Sequence, residues 1–106
     1  PVVAYDHGGP SEIVVDGERR TAIGNGVPQM ARITGMGCTA TALIGAFVAV
    51  GDDPFTATSH AMAVMGIAGE MAAEHASGPG SLQVGFLDAL AGIGDDDLRE
   101  RVRAAS

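Results

Sequence analysis

Thr34-Gly35-Met36-Gly37-Cys38 brings together residue types that can handle a transferring phosphoryl group. A glycine-rich turn points several backbone N–H groups into one concavity, and a helix that begins there adds the positive end of its dipole. Together they form a seat for an anion. The only cysteine of the chain, Cys38, closes this turn and opens an apolar stretch. A thiol at that place lies where negative charge is stabilised, so its pKa is expected to fall. An anion cradle with a potential base at its lip points to phosphoryl transfer.

Plainer readings stand beside this one. A lone cysteine commonly serves as a small buried hydrophobe, and a bare Gly-x-Gly often allows a tight strand-to-helix turn with no ligand. His7, His60 and His75 have no ligand spacing with one another or with Cys38, so no protein-built metal site is expected. Asp52-Asp53 and Asp95-Asp96-Asp97 read as helix caps, and Met62, Met65 and Met71 as core filler. Gly78-Pro79-Gly80-Ser81 reads as a helix-to-helix turn or a second loop of close approach.

The elements that must position the turn follow from the pattern. Val2–Tyr5 is a continuous apolar run of the kind found in a buried parallel strand. Glu12–Val15 and Glu18–Ile23 read as a hairpin about Asp16-Gly17. Gln29–Ile33, read as extended, delivers the chain to the glycine turn. A helix is expected from Cys38 to about Val50, with Leu43, Ile44, Phe47 and Val48 on one face. Asp53 and Pro54 mark the start of the next, which runs to about His75 and carries Ala61, Met62, Met65, Ala68, Gly69 and Ala72 as a face for close packing. Ser81 opens a third helix with Leu82, Phe86, Leu87 and Leu90 inward, and Asp95 caps a last one through Arg103.

Composition sets the limits. A chain of 106 residues makes one domain at most, and its 16 glycines exclude an all-helical fold. The net charge of −7, with six arginines and no lysine cluster, argues against nucleic acid. The run Ala40–Val50 is too short to span a bilayer. One cysteine excludes an internal disulfide and fits a reducing cytoplasm. The first residue is Pro, and Val2-Val3-Ala4-Tyr5 already reads as a strand, so the chain is expected to begin in mid-fold.

Val15-Asp16-Gly17, Asn25-Gly26, the Thr34–Cys38 turn, Gly66-Ile67-Ala68-Gly69-Glu70 and the run from Gly78 to Leu90 occur in an order and spacing that resembles the C-terminal part of the hydroxyethylthiazole kinases, members of the ribokinase-like superfamily. Most of that superfamily carries Asp where this chain has Cys38. The resemblance implies an α/β chain from a ribokinase-like three-layer fold, with short strands and a hairpin followed by a helical layer. All 106 residues would form one partial domain on the nucleotide side.

The resemblance further implies ATP and Mg²⁺ as cofactors and 4-methyl-5-(2-hydroxyethyl)thiazole as the alcohol phosphorylated, in thiamine salvage. Cys38 would face the acceptor hydroxyl, Gly35 would lie beside substrate, and Thr34, Gly35, Met36 and Gly37 would form the ATP and anion hole. Gly8-Gly9 align with a nucleotide-contacting Thr-Gly pair of the family after an insertion near Tyr5-Asp6-His7, so a hydroxyl is lost while Gly8 remains on the nucleotide side. Assembly would be a homotrimer. The family's N-terminal half, with its acidic groups near Mg²⁺, has no counterpart here, and the isolated chain is expected to self-associate. A truncated, inactive nucleotide-binding or interaction module is one alternative; a kinase for another heterocyclic alcohol is the other.

Overall fold

The computed structural model describes residues 2–5 and 12–105. Four strands form one antiparallel sheet in the order β1-β2-β3-β4: β1 is Val2–Tyr5, β2 Glu12–Asp16, β3 Arg19–Ile23 and β4 Ala104–Ala105. Four helices follow the hairpin: α1 (Met36–Val50), α2 (Pro54–Ala73), α3 (Pro79–Gly92) and α4 (Asp95–Arg101). The α/β class, with a hairpin followed by a helical layer, is the one expected.

β1 pairs antiparallel with β2, from Val2 opposite Val15 to Tyr5 opposite Glu12. The parallel reading of Val2–Tyr5 is therefore corrected: a continuous apolar run signals burial, and strand direction is not contained in it. The hairpin turns one residue later than expected, on Gly17-Glu18, with Asp16 opposite Arg19 and Gly17 at φ +61°. Where the sequence of Gln29–Ile33 reads as extended, Pro28–Arg32 forms a 3-10 turn with Pro at its start.

Helix α2 is the centre of the molecule. Eleven of its 20 residues are buried, including Ala61, Met62, Met65, Ala68, Gly69 and Ala72 of the expected packing face. Val14 and Ile23 of the sheet and Leu82 and Phe86 of α3 complete the core, all at most 2% exposed. Leu87, expected inward, is exposed, while Leu90 packs against the core edge. Helix α1 differs sharply: largely apolar, it has no buried residue, and Val48 and Val50 lie open. With β1 at the sheet edge, these surfaces are what the expectation of self-association rests on.

Helix boundaries follow local chemistry. Asp53 is the N-cap residue of α2 and Pro54 its first helical residue. The third helix starts at Pro79, two residues before Ser81, whose hydroxyl accepts from the N–H groups of Ser77 and Gly78 at 2.9 and 3.2 Å. Gly94, rather than Asp95, is the N-cap of α4, and its N–H donates to Asp97 Oδ2 at 3.0 Å.

The Asp53 carboxylate does not cap its own helix; it binds the hairpin. Arg19 donates to Asp53 Oδ2 at 2.7 Å and Oδ1 at 2.9 Å, and to Asp16 Oδ2 at 2.8 Å, with its guanidinium 4.7 Å above the Phe55 ring. Hydrogen bonds from Arg19 and then from Thr56 hold the Asp53 carboxyl well below the usual carboxylate range. A depressed folded value stabilises the protein above the unfolded carboxylate pKa of about 4, and that contribution disappears as pH falls through the folded value. The melting-temperature gap between the protein and its Asp53→Asn variant should be full near neutrality, shrink on acidification and shrink with added salt, because the pair is exposed. Thermal melts at several pH values check this; a gap that widens in acid contradicts it.

Candidate active site

The turn is built by a glycine in the left-handed region followed at once by a helix. Gly35 adopts φ +84° and ψ 8°, a left-handed conformation that L side chains rarely adopt, and it is the N-cap of α1. The helix thus begins at Met36, two residues before the start expected at Cys38. The first intrahelical bond runs from Thr39 N–H to Gly35 C=O at 3.0 Å. The N–H groups of Gly35, Met36, Gly37 and Cys38 are accordingly the four that helix geometry leaves over, and among the described residues no side chain caps them. The Thr39 and Thr41 hydroxyls turn back along the helix to the carbonyls of Gly35 and Gly37, both at 3.0 Å. Four outward amides at a positive helix end make a seat for a phosphoryl oxygen.

Gly35, Met36 and Gly37 also line a hollow of about 510 Å³, whose floor includes Ile33, Met62 and Met65. The two methionines, read as core filler, serve both as core and as the wall of this hollow. Cys38 is free and exposed on α1, and it does not line the hollow that Gly35, Met36 and Gly37 border. Thr34 is exposed on the approach to the turn. Gly8 lies outside the described residues. Neither Gly35 nor Gly37 has an atom within 4 Å of where a Cβ would stand, so open space lies above both.

Two features escaped the sequence reading. Arg32 lines a second hollow of about 240 Å³ together with Gln29, Ser77, Gly78 and Pro79, which gives the loop of close approach a cationic neighbour. Glu70 anchors the segment leading to the turn, accepting from Gly26 N–H at 2.8 Å. A carboxylate amid a stripe of small apolar residues was the available signal. Among the described residues no group of His, Cys, Asp or Glu is arranged to hold a metal ion, and no helix is long and apolar enough to cross a membrane.

Comparison with known proteins agrees with this architecture. Residues 2–96 match the model of the hydroxyethylthiazole kinase family. The hydroxyethylthiazole kinase of Granulibacter bethesdensis is 54% identical over 95 residues, covering 90% of this chain and 35% of that protein. The one from Syntrophus aciditrophicus is 50% identical with the same coverage. Among solved structures, hydroxyethylthiazole kinase protein from Pyrococcus horikoshii OT3 superposes with a TM-score of 0.87 at 41% identity, over 92% of this chain and 38% of that one. The chain therefore spans about a third of the length of these relatives. A sequence matched over residues 2–96 and a backbone that superposes this closely lead to one conclusion: the chain belongs to the hydroxyethylthiazole kinase family.

Proposed function

We propose that the complete protein carrying this chain transfers the γ-phosphoryl group of ATP to the hydroxyl of 4-methyl-5-(2-hydroxyethyl)thiazole, a step of thiamine salvage in the cytoplasm, as a homotrimer. The observation that carries this reading is the uncapped start of α1 behind Gly35 at φ +84°, in a chain of this family. Phosphoryl transfer passes through a loose transition state with charge on the peripheral oxygens, so its catalysis is mainly positioning and charge stabilisation. The amides of Gly35, Met36, Gly37 and Cys38 supply fixed donors for that charge without reorganisation.

Cys38 is assigned as the base. Its sulfur, as thiolate, takes the proton of the acceptor hydroxyl; the freed oxygen forms the new bond to the γ-phosphorus; the bond from that phosphorus to the bridging oxygen breaks, and ADP leaves. Gly35 lies beside the acceptor, Thr34 flanks the hole, and Gly8 belongs to the nucleotide side. Among the described residues no group of three or more His, Cys, Asp or Glu could hold a metal ion, and Mg²⁺, when bound, would neutralise charge on the ATP phosphates.

Incubating the purified complete protein with ATP and hydroxyethylthiazole should yield the thiazole phosphate and ADP by mass spectrometry; no transfer with Cys38 intact would overturn the reading. Cys38→Ala should lower kcat about 100-fold with KM for the thiazole nearly unchanged, the lower end of what a general base contributes. An equal kcat in the alanine variant would remove Cys38 from the mechanism.

The two glycines separate conformation from access. Gly35→Ala should destabilise the fold by about 1–2 kcal/mol, because the left-handed backbone strains an L residue. Gly37 has ordinary helical geometry with free space around it, so Gly37→Ala should fold at least as well, helical Ala being favoured over Gly by about 0.5–1 kcal/mol. Its methyl group would nonetheless enter the phosphoryl seat and depress kcat. A Gly37→Ala enzyme that is both stable and fully active would place the phosphate elsewhere.

A further inference from the structure

The route into the glycine turn is held by α2 with a closeness that only particular residues permit. Segment 24–33 lies along one face of that helix, which presents Gly66, Gly69 and Glu70. A Cβ on Gly66 would stand 2.5 Å from the Asn25 carbonyl oxygen and 2.6 Å from its carbon, so the main chain itself occupies that space. One turn further, a Cβ on Gly69 would overlap the Met30 sulfur, with the Met30 Cε at 2.9 Å and Cγ at 3.0 Å. Glu70 Oε2 accepts from Gly26 N–H at 2.8 Å, from Asn25 Nδ2 at 3.0 Å and from the Arg103 guanidinium at 2.6 Å. Asn25 is only 3% exposed; its Oδ1 accepts from Arg103 N–H at 2.6 Å, and its Nδ2 also donates to Arg101 C=O at 2.5 Å. Ile33, 8% exposed, seats the far end of the segment in the core. Gly35 follows two residues later.

We infer that Glu70, with Asn25 and the Gly66–Gly69 face of α2, forms the positioning machinery of the phosphoryl seat, fixing where the Gly35–Cys38 amides stand. Glu70 touches no reacting atom. It acts through the chain: its carboxylate holds the Gly26 main chain, Gly69 admits Met30 alongside, and Ile33 locks the segment immediately before the turn. Donors fixed for a transition-state charge are sensitive to displacement, since a shift of 1 Å can lower a rate about 100-fold. The inference rests on the kinase reading for its kinetic arm only.

Arg103 supplies the control. Its side chain donates to the same Glu70 oxygen and to the C=O of Gly24, the residue of the segment farthest from the turn, and it reaches them from the C-terminal end of the chain, past α4. In the complete protein, Glu70→Ala, Glu70→Gln and Arg103→Met would be compared for melting temperature, kcat, KM for ATP and the alkylation rate of Cys38, read by peptide mass after iodoacetamide. Thiol reactivity follows the local electropositive surroundings and so reports the turn without any substrate. Glu70→Ala should lower kcat about tenfold or more with KM for ATP little changed, and alter Cys38 alkylation about threefold or more. Glu70→Gln should fall between it and wild type, while Arg103→Met should leave both rates within about twofold of wild type whatever it does to the melting temperature. Kinetics and alkylation that stay at wild-type values in the Glu70 variants, or that change equally in Arg103→Met, would overturn the inference and leave Glu70 as a stabilising residue. Should Glu70→Ala not fold, Glu70→Gln against Arg103→Met decides by the same comparison. If the wild-type protein transfers no phosphate, the kinase reading fails, and Cys38 alkylation alone still decides the positioning role.

Discussion

The structure depends on how near a stretch of irregular backbone can come to α2. At Gly66 the Asn25 main chain takes the place of a side chain, and one turn along, a single carboxylate oxygen accepts from three donors on two segments distant in sequence, Asn25-Gly26 and Arg103. Backbone polar groups outside regular pairing must find partners where they pass close to the core. Here Glu70 and Asn25 provide them, which lets the chain leave the sheet, cross the helical layer and enter α1 at a fixed place. The carboxylate is 12% exposed, so its bonds are less diluted by water than those of the surface clamp between Arg19 and Asp53.

The end of that path is left polar and open while the helix beyond it is apolar and open. Both properties of α1 follow from the same placement. Its first turn carries four amides with no cap, because Gly35 has no side chain to bend back. Its body packs one side against the core through half-buried Met36, Ala40, Leu43 and Ile44, leaving Ala42, Ala46 and Ala49 exposed. An exposed apolar face beside an uncapped helix start is the kind of surface on which a substrate pocket is completed by further protein.

Legibility in the sequence followed the range of the forces involved. Asp53-Pro54 marked the start of α2 because N-cap and first-turn preferences are local. Small residues at helical spacing gave the buried face of α2, since burial and periodicity are the same fact seen twice. The glycine turn was recognisable, although α1 starts at Met36 rather than Cys38 because the left-handed Gly35 is already the cap. What failed was set by distant contacts. The direction of β1 depends on its pairing with β2, and β4 exists only because Ala104 and Ala105 return to Ile23 and Ala22. The 3-10 turn at Pro28–Arg32 is seated against α2 through Met30. Glu70 stood out only as a carboxylate amid small apolar residues; its role is set by partners far along the chain, Asn25, Gly26 and Arg103.

The central claim is that the main-chain amides at the start of α1 receive the transferring phosphoryl group beside the Cys38 thiol. A crystal structure of the complete protein with a non-hydrolysable ATP analogue and hydroxyethylthiazole tests it most directly. The expected result is a terminal phosphate oxygen within about 3 Å of amides from Gly35 to Cys38, with the Cys38 Sγ against the acceptor hydroxyl. A terminal phosphate bound away from α1, or an acceptor hydroxyl out of reach of that sulfur, would contradict it.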